Sequence, residues 1–152
     1  MIGRPDIVIT IRPEHPNDFD ALRDFVRTAF ATAARSDGDE SAFVDRLRAS
    51  EAYIPELALI AEADGRMLGH VVLTRIFIER DTDGPIPALM LAPLSVLAEE
   101  RKRGIGGELV REVVARAEAL GHRVVVLVGS PAYYGRFGFV PASNFGLVNT
   151  NG

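Results

Sequence analysis

The chain contains no cysteine. That absence excludes a disulfide framework, a cysteine nucleophile and a thiolate metal site. Long apolar runs are missing too, since none approaches the roughly 18 residues of a membrane span. No secretory signal pattern opens the sequence, because Met1-Ile2-Gly3-Arg4-Pro5-Asp6 is polar and broken by proline. These absences predict a soluble, cytoplasmic protein. An excess of positive charge is also lacking. The net charge is −4, and Arg101-Lys102-Arg103 is the only dense basic cluster. Three cations are too few for a nucleic-acid groove, so neither nucleic acid nor membrane is expected as a partner. There is no GxxxxGK(S/T) run, which excludes a P-loop. A Rossmann fingerprint fails because position 109 is leucine and the following strand-like run ends in Val128-Gly129-Ser130. No constellation of metal ligands is visible, and no nucleophile elbow. No repeat, linker or low-complexity segment interrupts the chain.

What remains is 152 residues, 47% hydrophobic and 25% charged, enough for one domain over 1–152 with a proper core. Ile7–Ile11 is β-branched and ends at Arg12-Pro13, a first strand. Pro16-Asn17-Asp18 caps a helix with Phe19, Leu22, Phe25 or Val26, and Ala29 on one face. Ser36-Asp37-Gly38-Asp39 ends it. A second helix, roughly Glu40 to Ala49, turns Phe43, Val44 and Leu47 inward. Leu57–Glu62 is a strand, and Asp64-Gly65 makes a tight hairpin into Met67–Ile78. After the loop Asp81–Pro85, Leu89–Leu97 is a strand interrupted by Pro93. That proline marks either an edge strand or a bulge. Ile105, Leu109, Val113, Ala117 and Leu120 then recur at helical spacing until Gly121. Arg123–Val128 follows as a fully buried strand. Ser130 caps a short helix beginning at Pro131. The order is mixed α/β, with antiparallel hairpins first and a βαβ crossover later.

The chemistry concentrates in Arg101-Lys102-Arg103-Gly104-Ile105-Gly106-Gly107, between a strand and a helix. A glycine-rich turn at a helix N-terminus presents N–H groups that have no partner inside the helix, and these suit a phosphate. Three cations beside the positive end of a helix dipole are unfavourable without an anion, so the turn reads as a pyrophosphate cradle rather than a bare connection. Arg101-x-x-Gly104-x-Gly106 resembles the coenzyme A signature (Gln/Arg)-x-x-Gly-x-(Gly/Ala) of the GNAT superfamily of N-acetyltransferases. A second segment agrees with it: Tyr134 followed by Gly138-Phe139 resembles the Y-x-x-x-G-F ending of the superfamily's later motif.

The resemblance implies the GNAT fold, a splayed mixed sheet with helices on both faces. Coenzyme A would enter between the Leu89–Leu97 and Arg123–Val128 strands. It implies acetyl transfer from acetyl-CoA, as cosubstrate, to a primary amine by direct attack in a ternary complex. Leu94, Val96 and Leu97 would offer main-chain groups to the pantetheine arm and the acetyl carbonyl. Arg101, Lys102, Arg103, Gly104, Ile105, Gly106 and Gly107 would hold the diphosphate. Tyr134 would lie beside the sulfur and act as general acid, leaving Tyr133 structural. The amine would lose its proton to His70, to Glu40 or through water. Each of these two has a blander reading, His70 as a satisfied core residue and Glu40 as a helix-dipole partner. His15 and His122 sit in turns and receive no role. Family members usually end in a further strand pair. Here the last strand is shortened, or something else covers that edge, such as a partner subunit in a homodimer. The acceptor is a small-molecule or peptide amine. The alternative function is a non-catalytic domain that binds or senses acyl-CoA.

Overall fold

The computed structural model describes residues 8–31, 39–101 and 103–150. Ile7, Ser36, Asp37, Gly38 and Lys102 lie outside them. Five strands form one sheet in the order β1-β2-β3-β4-β5: β1 (Thr10–Pro13), β2 (Tyr53–Ala63), β3 (Arg66–Ile78), β4 (Ile86–Val96) and β5 (Val125–Val126). All neighbours are antiparallel except β4 and β5, which are parallel. The helices are α1 (Phe19–Phe30), α2 (Glu40–Arg48), α3 (Ile105–Ala119) and α4 (Pro131–Tyr134). The mixed α/β class expected from the sequence is the observed one.

The apolar stripes decide which face each helix covers. In α3, Ile105, Leu109, Val110, Val113 and Ala117 are buried, and the helix packs across β2 and β3. Leu109 Cδ1 lies 2.7 Å from where a Cβ on Gly69 would stand, so α3 covers the face to which Gly69 points. In a strand the next residue points the other way, which sends His70 to the opposite face. There it meets Glu14, bound by Arg48 from the end of α2. Helices thus flank both faces. Leu22, Phe25, Val26 and Ala29 are the buried stripe of α1, as their spacing predicts. Phe19 is only half-buried, under the Arg48 guanidinium at 4.4 Å.

Several expectations change. Phe43 is not inward: it is 37% exposed, and Ser41 takes the buried place beside Val44, its hydroxyl donating to Arg23 O. The strand expected over Arg123–Val128 has only two ladder residues, both half-buried. Its apolar run reads as a central strand, but among the described residues only β4 pairs with it, and Val128 is 72% exposed. After α4 the described chain forms 3-10 turns at Gly135–Phe137 and Ala142–Phe145 and no strand.

Pro93 resolves in favour of the bulge. Val71 faces Leu94 and Leu73 faces Leu91, so Ala92 and Pro93 together stand opposite Val72. The strand is not at an edge, since β3 and β5 flank it. A bulge accommodates a residue without an N–H at little cost to the ladder.

Candidate active site

The central feature is a cleft between β4 and β5. The two strands pair only at Leu89↔Val125 and Met90↔Val126. Beyond Met90, β4 continues to Val96 with no ladder partner on that side among the described residues. The direction of its main-chain groups follows from one bond. Leu97 N–H donates to Leu68 O at 3.1 Å, which makes Leu68 and Leu97 a hydrogen-bonded pair. In an antiparallel ladder the adjacent pair, Gly69↔Val96, is then non-hydrogen-bonded. The N–H and C=O of Val96 therefore point away from β3 and into the cleft, and the same alternation turns Leu94 that way. Leu97 differs from the sequence expectation. Its N–H is bonded to Leu68 and its C=O accepts from Glu100 N–H at 2.9 Å, so it contributes side-chain packing rather than main-chain donors.

At the mouth of the cleft stands the glycine turn. Gly104 is the N-cap of α3 with φ +81°, a left-handed conformation that glycine adopts without the steric cost of a Cβ. The first main-chain bond within the helix runs from Glu108 N–H to Gly104 O at 3.0 Å, and no side chain caps the turn. The amides of Ile105, Gly106 and Gly107 consequently have no partner inside the helix. Ile105 anchors the turn from below, fully buried.

The basic cluster divides. Arg101 reaches back from the turn, its Nε donating to Val96 O at 3.3 Å and its Nη2 to Ala29 O. This ties α1 to the end of β4. Arg103 is 43% exposed and pairs with the carboxylate of Glu100 at 3.4 Å. Lys102 lies outside the described residues. Two cations not singled out in the sequence stand nearby. Arg111 sits over the Phe137 ring at 4.9 Å, and Arg136 over Tyr133 at 4.6 Å. Helical spacing could have found the first, since Arg111 follows Gly107 by one turn.

The short helix α4 begins as predicted, with Tyr133 N–H donating to Ser130 Oγ at 3.2 Å and Pro131 in the first turn. It places two tyrosines side by side, their rings edge to face at 4.9 Å. Tyr134 packs against Phe139 at 5.9 Å, and its Cε2 lies 2.6 Å from where a Cβ on Gly129 would stand. It thus lines the β5 wall. Burial and the neighbouring Tyr133 push its phenol pKa up, so it is protonated at neutral pH.

Of the two candidate bases, His70 points to the face opposite the one α3 covers, and Glu40 opens α2. Glu40 is half-buried at the first position of α2. His70 is fully buried, its Nε2 sharing a 2.7 Å hydrogen bond with Glu14 Oε1. Glu14 also accepts from Arg48 Nε at 2.7 Å and from the Tyr53 hydroxyl at 2.5 Å. Burial alone would raise the Glu14 pKa. The hydrogen bonds from His70, Arg48 and Tyr53 outweigh it and hold the carboxyl at about 2. The opposite ring nitrogen, Nδ1, and the hydroxyl of Ser95, which pairs with His70 across the sheet, are buried without a hydrogen-bond partner among the described residues. Among the described residues no group of three acidic or histidine side chains could hold a metal. No helix among them is long and apolar enough to cross a membrane.

A splayed parallel strand pair with a glycine turn at its mouth is the arrangement that the sequence resemblance implies, and comparison with known proteins agrees with it. A family model described as an acetyltransferase (GNAT) domain matches residues 10–142. The uncharacterized N-acetyltransferase YjhQ of Escherichia coli K12 is 31% identical over 127 residues, covering 84% of this chain and 67% of that protein. The uncharacterized N-acetyltransferase YhbS of the same organism is 30% identical over 138 residues, covering 90% and 77%. A crystal structure of a GNAT family acetyltransferase from Brucella melitensis in complex with acetyl-CoA matches with a TM-score of 0.79 at 37% identity. The match covers 88% of this chain and 84% of that one. The crystal structure of Escherichia coli YhbS in complex with CoA matches with the same TM-score, 0.79, at 27% identity, over 95% and 75%. The chain belongs to the GNAT family of acetyltransferases. Its open five-stranded sheet is the family's fold, and it is an N-acetyltransferase enzyme.

Proposed function

We propose that this enzyme transfers the acetyl group of acetyl-CoA to a primary amine by direct attack within a ternary complex. The observation that carries the reading is the paired geometry of the cleft: amides at Ile105, Gly106 and Gly107 with no partner inside the helix at its mouth, and the Val96 main chain turned into it. Phosphate oxygens suit the first set, and a thioester carbonyl suits the second. The two relatives of known structure bind acetyl-CoA and CoA, which supports the same cosubstrate here.

Acetyl-CoA supplies the acetyl group and a thiolate leaving group, and no residue need become acylated. The absence of cysteine accords with that. The cleft holds cosubstrate and amine in line, which removes much of the entropic barrier. Val96 N–H binds the carbonyl oxygen as negative charge grows on it, a contribution of about 3 kcal/mol for one such donor. Tyr134 gives its proton to the departing sulfur. Its raised pKa keeps that proton in place until it is needed. The surroundings of His70 favour a structural role, since one ring nitrogen is committed to Glu14 and the ring is enclosed. Loss of the amine proton to water or to Glu40 then remains as the route.

A panel of amines covering metabolites, aminoglycosides and peptides, incubated with acetyl-CoA and followed by thiol release, tests the reading. Amine-dependent thiol release is the expected result. Tight coenzyme A binding with no turnover on any amine would instead support the acyl-CoA-sensing alternative.

A further inference from the structure

The motif alignment passes over Tyr133, yet the Tyr133 hydroxyl ends on the glycine turn. Its Oη overlaps the position a Cβ on Gly106 would take, and Val96 Cγ2 lies 3.5 Å from that same position. Gly106 therefore admits a hydroxyl at its surface that any other residue would displace. The ring is held by several contacts. Tyr134 meets it edge to face at 4.9 Å, Phe137 at 5.3 Å, and the Arg136 guanidinium stacks on it at 4.6 Å. Phe137 is itself wedged against the turn, its Cε1 lying 2.9 Å from where a Cβ on Gly107 would stand. Tyr133 is thus aimed by packing. Burial raises its phenol pKa, although Arg136 and Arg111 pull it back, so the oxygen carries a proton to donate at neutral pH. That hydroxyl makes no hydrogen bond to a described residue.

The two tyrosines consequently serve different ends of the cleft. Tyr134 lies on the β5 wall, over Gly129, and Tyr133 lies at the mouth, over Gly106. The Tyr133 hydroxyl thus lies against the Cα of Gly106, a residue whose amide has no partner inside the helix. We propose that Tyr133 is a cofactor-binding residue whose O–H donates a hydrogen bond to the diphosphate of coenzyme A on the glycine turn. The inference rests on the acetyl-CoA reading above. A donor to a charged oxygen is the stronger kind of hydrogen bond, and its loss is felt in binding rather than in the chemical step.

The test is calorimetric titration of coenzyme A into the wild-type protein, Tyr133→Phe and Tyr134→Phe, with phosphorus NMR of the bound ligand. Phenylalanine keeps the ring and its contacts, so the fold is preserved. Tyr133→Phe should weaken coenzyme A about tenfold, equivalent to about 1.4 kcal/mol. Turnover at saturating acetyl-CoA should stay within about twofold of wild type. The two diphosphate resonances should shift between wild type and Tyr133→Phe while the 3′-phosphate resonance stays put. Unchanged affinity with unchanged diphosphate resonances overturns the assignment. So does a fall in turnover at unchanged affinity, which would place this hydroxyl at the thioester. Failure of the wild-type protein to bind coenzyme A is a separate outcome and overturns the acetyl-CoA reading itself.

Discussion

Glu14 and His70 stand 56 positions apart in the chain and share a buried hydrogen bond of 2.7 Å. The bond joins the turn after β1 to the middle of β3. Arg48 and Tyr53 close the cluster from α2 and β2. Removing the carboxylate would take away the closer of the two counter-charges on the buried Arg48 guanidinium and leave the part-exposed Asp45 at 3.1 Å; breaking a buried pair costs about 3–5 kcal/mol in comparable cases. Glu14→Ala should therefore lower stability by that order in urea unfolding. The pH dependence has a fixed sign. The folded pKa of Glu14 is depressed from 4.5 to about 2. Its contribution is present in full above the unfolded value and is lost as pH falls toward the folded one. Stability of the wild-type protein should drop between about pH 5 and about pH 2 more steeply than that of Glu14→Gln. Parallel curves for the two would mean that Glu14 is not the group that titrates.

Coenzyme A binding should depend on Gly106. A valine there places carbon where the Tyr133 hydroxyl lies and, on the proposed reading, beside the amides that would receive the diphosphate. The expected loss is tenfold or more in affinity, about 1.4 kcal/mol, with the fold retained by circular dichroism. Gly106→Ala combined with Tyr133→Phe separates the two effects. With the hydroxyl gone, the nearest ring atom, Cζ, is 3.7 Å from the new Cβ, an ordinary contact. The double variant should consequently be more stable than the sum of the single changes predicts. A folded Gly106→Val protein that titrates like wild type would remove the cradle from the description.

Much of this site is legible in the sequence because it is local. Gly104, Gly106 and Gly107 lie next to one another and to a helical stripe, and Ser130-Pro131 announces a helix start. Pro93 marks the bulge because a proline inside an apolar strand has few places to go. The Glu14 cluster is invisible for the opposite reason. Pro13-Glu14-His15 reads as a polar turn, and no pattern shows that the chain folds Glu14 under Arg48 and Tyr53. The buried strand expected over Arg123–Val128 fails because burial is set by neighbours, and an apolar run is silent about how many it has. The same limit hides Tyr133. Two adjacent tyrosines look alike in sequence, and only the packing of α4 against α3 sends one hydroxyl to Gly106.

Binding should also weaken with salt. Arg103 is exposed at the turn and Arg136 and Arg111 flank it, so part of the attraction for the phosphates is screened charge. The dissociation constant for coenzyme A should rise from low to high ionic strength, and Arg103→Ala should flatten that rise. Arg101→Ala should act differently. Its guanidinium bonds the carbonyls of Val96 and Ala29, so its removal should lower thermal stability. A salt-independent constant would assign the binding to main-chain amides alone.

The chemical step should report on Tyr134. Tyr134→Phe preserves the ring that packs against Phe139 and over Gly129 and removes only the hydroxyl. If that hydroxyl protonates the leaving thiolate, turnover should fall by about 10²-fold with little change in acetyl-CoA affinity. The loss belongs in the turnover number because the proton is needed only as the thioester breaks. An acetyl donor with a more acidic thiol leaves without assistance, so the defect should shrink with such a donor. Tyr133→Phe should show the reverse division, weaker binding and near-normal turnover. The two variants together therefore assign each hydroxyl to one end of the cleft. If both lower turnover alike, or if Tyr133→Phe lowers it more, the proton comes from the other tyrosine. The Y-x-x-x-G-F alignment would then have selected the wrong residue of the pair.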